Sequence, residues 1–208
     1  MLSENIDQII KECSNQVIVA ATKYVAASDL LLLREKGIKD FGENRVDDFL
    51  IKYQEMKEYE DITWHFIGTL QTNKVKKMIN KVDYLHSLDS LNLANYIDKY
   101  RFKELPCFIQ VNLTNSQTKH GIKKEELLNF LDALKKYPKV KVVGLMTMTE
   151  ESQNSEEKYA TFRELKKVLE SLNNQEIKYL SMGMSGDYEE AIKASSTHLR
   201  LGRILFRK

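Results

Sequence analysis

VIVAATKYVAASDLLLLREKGIKDFG, residues 17–42, sets an apolar run, an amphipathic stretch and a second apolar run in close succession. The segment 17–22 is β-branched or alanine-rich and ends in Thr22 and Lys23, which reads as a buried strand. Residues 28–36 combine four leucines with charged neighbours and read as a helix, and 38–42 returns to a strand that stops at Gly42. A strand, a helix and another strand at this spacing call for parallel pairing through a right-handed crossover.

The same alternation continues in the C-terminal direction. Further strands are expected at 62–66, 82–87, 107–113, 140–145, 177–180 and 197–200. Helices are expected between them at 43–58, 73–80, 90–102, 123–136, 155–171 and 188–194. About eight strands separated by helices fit a closed (β/α)8 barrel, and 208 residues lie near the lower end of the usual length for that fold. An open doubly wound sheet is the alternative that periodicity leaves standing. No composition shift or linker divides the chain, so residues 1–208 are expected to form one domain.

The bulk composition excludes several function classes. At 42% hydrophobic and 30% charged residues, with two prolines, the chain has the makeup of an ordered domain. A net charge of +2 gives no global pull toward nucleic acid or anionic membrane. Lys74, Lys76 and Lys77 make a short basic cluster without interleaved aromatics, the pattern of a solvated helix face. No apolar run reaches the ~20 residues of a membrane span, and MLSENIDQII lacks a secretory pattern. Cys13 and Cys107 lie far apart, without CxxC spacing, as buried or free thiols of a reducing compartment. His65, His86, His120 and His198 share no metal-like spacing. A cytoplasmic protein without a metal site is the expectation.

In parallel α/β folds the chemistry gathers at the C-terminal ends of the strands. Lys23 stands there. Its position fits either a strand meeting water or a partly desolvated amine able to attack an aldehyde. SMGMSGDYEEAI (181–192) places Gly183, Ser185 and Gly186 between a strand and a helix starting near Asp187, a possible phosphate cradle. LRLGR (199–203) offers Gly202 after the last strand, and barrels often bind phosphate after strands seven and eight. Arg200 fits an anionic ligand or ring nitrogen as well as a rim ion pair. Asn44 is placed as a helix N-cap. Met146, Met148, Met182 and Met184 suit adaptable packing near the mouth, and the acidic pairs Asp47–Asp48 and Glu150–Glu151 are assigned no catalytic role.

Six segments then occur in a fixed order: VAATKYV, FGENRVDDF, WHFIGTLQTNK, GLMTM, LSMGMSGDYEEAI and THLRLGR. Together they closely resemble the pyridoxal phosphate homeostasis protein family, single-domain relatives of the alanine racemase N-terminal barrel. The resemblance runs from about Val17 to Ile204. It implies pyridoxal 5′-phosphate (PLP) as cofactor, held as an aldimine on Lys23. It also implies phosphate contacts at Met184, Ser185, Gly186 and Gly202, with Arg200 facing the pyridine nitrogen. Asn44, His65 and Ile67 fall on positions that line the family's pocket. One departure stands out: Arg203 follows Gly202 where many members carry a small hydroxyl residue.

The resemblance implies a role in intracellular PLP homeostasis, storing or transferring the cofactor without substantial turnover. PLP-dependent apo-enzymes are the implied acceptors, and the protein is expected as a monomer or weak dimer. Racemisation needs a second base on the opposite cofactor face. The 208 residues are expected to form the barrel alone, without the second domain that supplies it in alanine racemase. A weak amino-acid racemase is the alternative, and a phosphosugar-binding barrel in which Lys23 only pairs with phosphate is the reading from another class.

Overall fold

The computed structural model describes residues 1–23, 25–113 and 120–206. After helix α1 (Ile6–Glu12), the chain runs β1 (Val17–Ala21), α2 (Ala27–Glu35), β2 (Asp40–Glu43), α3 (Val46–Glu55) and β3 (Thr63–Phe66). It continues through α4 (Thr72–Met78), β4 (Tyr84–Leu88), α5 (Leu91–Tyr100), β5 (Leu105–Asn112) and the short β6 (Ile122–Lys123). The last elements are α6 (Leu127–Leu134), β7 (Val140–Met146), α7 (Ser155–Ser171), β8 (Tyr179–Ser181), α8 (Tyr188–Lys193) and β9 (His198–Leu201).

All the strand pairings are parallel, in the order β1–β2–β3–β4–β5–β7–β8–β9, and β9 returns to β1. That closure excludes the open sheet and makes the fold a (β/α)8 barrel. The two-residue β6 pairs with β5. Register places Val19 beside both Asp40 and Arg200, so the first, second and last strands share one level of the wall.

Helices pack on the outer face because alternate strand residues point there. Phe41, Phe49, Phe162, Leu30 and Leu33 are fully buried in this layer. Trp64 meets Phe41 and Phe49 edge-on, with ring centroids 5.8 and 5.5 Å apart. Helix α7 begins with Asn154, whose side chain accepts from Glu157 N while Glu157 reaches back to Asn154 N. This reciprocal capping satisfies two donors that a helix start leaves without partners.

Several expected boundaries move. The helix expected over 43–58 spans only Val46–Glu55, because Glu43 completes β2 and Arg45 occupies the N-cap. Asn44 therefore does not cap it; the residue sits in the bend before the helix. The helix expected over 123–136 divides into β6, a 3-10 turn (Lys124–Glu126) and α6. Helix α1 was not anticipated. It buries Ile6 and Ile9 against the 3-10 turn Arg203–Leu205, while Ser3 N donates to Leu205 O at 2.9 Å. Among the described residues, no helix is long and apolar enough to cross a membrane.

Candidate functional site

The C-terminal ends of the strands frame a cavity of about 890 Å³. Lys23, Asn44 and Ile67 line it from β1, β2 and β3, and Arg200 and Gly202 line it from β9. Met184, Ser185 and Gly186 close the side after β8. The structure thus gathers eight of the nine residues singled out from the sequence. The ninth, His65, is fully buried and does not line the cavity. Its strand neighbour two residues on, Ile67, occupies the wall, so His65 lies one layer deeper inside the barrel.

Lys23 lies two residues past the end of β1, and among the described residues nothing pairs with its amine. What holds its backbone lies outside the barrel. Lys52 on α3 donates to Thr22 O at 2.5 Å and forms a buried ion pair with Glu43. Thr22 Oγ1 also donates to Glu43 Oε1 at 2.6 Å. The residue before Lys23 is therefore clamped by a lysine and a carboxylate that share the same sequestered space. The sequence carried a signal of this: Val46, Phe49 and Met56 mark the buried stripe of the segment, and Lys52 interrupts it. A lysine on such a stripe needs a partner.

Backbone geometry shapes the opposite side of the cavity. Gly183 has φ +95°, and an added Cβ would lie 2.5 Å from Ala191 Cβ. Only glycine fits both the conformation and the space. Its carbonyl accepts from Arg200 N at 2.9 Å, tying the loop to β9. Ser185 Oγ receives the N–H groups of Gly202 at 3.1 Å and Ile204 at 3.3 Å. Two amides thus converge on one hydroxyl beside the cavity, a donor arrangement that an anionic oxygen can share. The start of α8 supplies less than the sequence implied. That helix has six residues, and Asp187 already takes Met184 N at 2.5 Å.

Arg200 is 5% exposed. Its Nη1 donates to Ser181 Oγ at 2.6 Å and its Nη2 to Thr147 O at 3.0 Å. Burial lowers its pKa to about 10, with Asp187 pulling the other way, so the guanidinium remains charged at neutral pH. A rim ion pair is not what it makes: among the described residues it has no direct carboxylate partner.

The cavity also draws in groups that the sequence left aside. Gln110 on β5, Lys158 on α7 and the acidic pair Glu150 and Glu151 reach its wall. Met148 and Met184 line it, whereas Met146 and Met182 are buried in packing. Arg203 lines it too, one residue after Gly202. Deeper in the barrel, His65, His86 and His198 converge, with ring centroids 5.1–6.5 Å apart. They reach one another from β3, β4 and β9, a juxtaposition that spacing along the chain could not reveal. Burial depresses His198 to about 4 and holds His86 well below its usual range.

Comparison with known proteins follows the same lines. The family model for the N-terminal domain of alanine racemase matches residues 1–207. The pyridoxal phosphate homeostasis protein of Aquifex aeolicus is 38% identical over 218 residues, covering 99% of this chain and 95% of that protein. The chain belongs to the pyridoxal phosphate homeostasis protein family. A second member, from Synechocystis, is 40% identical over 196 residues and covers 91% of this chain and 89% of its own length. The structure of PipY from Synechococcus elongatus with PLP bound is similar at a TM-score of 0.88 and 28% identity. That likeness covers 97% of this chain and all of PipY.

Proposed function

We propose that the protein, acting as one barrel domain, binds PLP at the cavity and serves intracellular PLP homeostasis, with Lys23 as the covalent anchor. The observation that carries this reading is the convergence on one cavity of three unlike groups. They are an amine with no partner among the described residues, a buried guanidinium, and a hydroxyl gathering two backbone amides. These groups match an aldehyde, a ring nitrogen and a phosphate, so the residues present fit the cofactor. PipY with PLP bound and the names of the homeostasis relatives support the same choice.

When bound, the cofactor supplies an aldehyde that condenses reversibly with primary amines. Lys23 would hold it, and the Lys52–Glu43 clamp on Thr22 would fix where that amine starts. Ser185, Gly186 and Gly202 would take the phosphate together with the Ile204 amide. Met184 would cover one edge, and Asn44 and Ile67 would bound the ring from β2 and β3. Arg203 would supply a charged donor in place of a hydroxyl at the phosphate end.

Arg200 is compatible with holding the cofactor, although alanine racemase also places an arginine there. A guanidinium facing the ring nitrogen disfavours a proton there, because two cations would then be adjacent. Such a ring withdraws electrons weakly, which suits storage and transfer to PLP-dependent apo-enzymes. The free, buried thiols of Cys13 and Cys107 accord with a reducing cytoplasm. We read the chain as a monomer or weak dimer.

Titration of the purified protein with PLP tests the reading. Native protein is expected to develop a visible band that Lys23→Ala lacks, with no substantial racemisation of common amino acids. Robust racemisation abolished by Lys23→Ala would move the protein to the enzyme reading. No band at all would leave a phosphate-binding barrel.

A further inference from the structure

The barrel interior contains a chain of hydrogen bonds that cofactor binding alone does not require. Arg200 Nη1 donates to Ser181 Oγ at 2.6 Å, and the same Oγ lies 2.7 Å from His86 Nδ1. His86 Nε2 is 2.9 Å from His65 Nδ1, and His65 Nε2 is 2.9 Å from Asp40 Oδ1. Five strands contribute one member each: β9, β8, β4, β3 and β2. The first four members are buried, whereas the Asp40 side chain is 30% exposed at the N-terminal end of β2. The chain therefore runs through the barrel interior from the cavity-lining Arg200 to a partly exposed carboxylate at the start of β2.

The two ends dictate its direction. A guanidinium can only donate, so Ser181 Oγ accepts from Arg200 and sends its own hydrogen to His86 Nδ1. His86 then carries its proton on Nε2 and donates to His65 Nδ1. His65 carries its proton on Nε2 and donates to the Asp40 carboxylate. Running the order backwards would oppose two donors or leave a buried hydroxyl without an acceptor. Both imidazoles are accordingly neutral and share one tautomer, assigned from the network. Neighbouring rings hold them in place. His65 stacks on Tyr84 at 4.8 Å and 7°, and His86 stacks on Phe108 at 4.4 Å and 29°.

A buried cation is costly unless something compensates it. Asp187 lies close enough to act on Arg200 through space, but it bonds Met184 N and Thr149 Oγ1 instead. The only bonded route from the guanidinium to a carboxylate, among the described residues, is the relay.

We propose that Ser181, His86 and His65 form a polarised relay coupling Arg200 to Asp40, with Asp40 as a remote positioning residue for the cofactor site. The relay orients the guanidinium and offsets part of its charge through four hydrogen bonds from the start of β2. Its effect on cofactor rests on the reading that Arg200 faces the bound ring; the relay itself does not. The other ionisable groups facing it are His198 and Tyr179 beside the histidines, Tyr84 against His65, and Asp187 near Arg200.

Two measurements test it separately. Long-range ¹H–¹⁵N spectra of the cofactor-free protein at pH 7 are expected to show His65 and His86 protonated on Nε2 only. Either ring protonated on Nδ1, or on both nitrogens, would overturn the relay whether or not PLP binds. With PLP loaded, the pH midpoint of the visible band is expected to fall by about half a unit in Asp40→Asn, as Arg200 becomes less compensated. Ser181→Ala should lower the midpoint as well, and adding Asp40→Asn to Ser181→Ala should change it no further. Additive shifts would mean that Asp40 acts through space and would overturn the coupling. A native protein that attaches no PLP to Lys23 would contradict the functional reading while leaving the spectra of the histidines to decide the relay.

Discussion

The two faces of the barrel wall are built from different chemistry. Outward-facing positions such as Phe41, Phe66 and Leu85 join helices in one aliphatic and aromatic layer. Inward-facing positions carry Asp40, His65, His86, Ser181, His198 and Arg200, with a small apolar cluster of Phe108, Val143 and Met146. Barrels of this class usually fill their interior with branched aliphatic side chains. Here the stabilising core lies outside the strands, and the interior is given over to hydrogen bonds that end at the site. Each buried polar member must keep its partner, so the interior tolerates change poorly for a reason unrelated to packing volume.

The contrast can be broken first on the outer side. Phe162→Ala removes a fully buried ring from α7 and is expected to lower unfolding stability by about 3–5 kcal/mol in urea titration. PLP attachment at Lys23 should survive in the fraction that folds. Loss of attachment with little loss of stability would place that ring in the site rather than the scaffold.

Lys52→Met comes next, because it strands Glu43 without a cation in buried surroundings. A stability loss of about 3 kcal/mol is expected, and adding Glu43→Gln should restore part of it. Glu43 Oε2 has no hydrogen-bond partner even in the intact protein, so the clamp has little to spare. The variant should also slow reaction of Lys23 with PLP, measured by stopped-flow absorbance, because Thr22 loses its anchor.

The interior has a pH signature of its own. Burial lowers His198 from its usual 6.5 to about 4, so the unfolded chain takes up this proton first as pH falls. Its contribution is present at pH 7, shrinks below about 6.5 and is gone near 4, an expected loss of about 3 kcal/mol. His86 shifts in the same direction and steepens the fall. Denaturation midpoints across this window check it. His198→Gln should flatten the profile, and a profile unchanged by that substitution would assign the acid sensitivity elsewhere.

The smallest effect belongs to the outer surface. Asn154→Ala removes the cap of α7 and is expected to lower stability by about 1 kcal/mol, with no change in the bound cofactor's spectrum.

The sequence made the outer face legible because helix and strand periodicities are local. VIVAAT and the α7 segment lie where their patterns place them. Lys23, Ser185, Arg200 and Gly202 were legible because strand ends in an alternating fold point to one mouth. The interior was not. His65 was expected at the cavity wall, and its bond to His86 depends on barrel shear rather than sequence spacing. Asn44 looked like a helix cap because the end of β2 at Glu43 is set by pairing with Phe66. Helix α1 went unseen because what fixes it is the Arg203–Leu205 turn at the other end of the chain.

The most direct measurement of the central claim is borohydride reduction of the PLP-loaded protein followed by peptide mass mapping. A pyridoxyl-phosphate adduct on Lys23, with no comparable adduct on Lys52 or Lys158, is the predicted result. An adduct spread over surface lysines, or an unmodified Lys23, would contradict the account of the site.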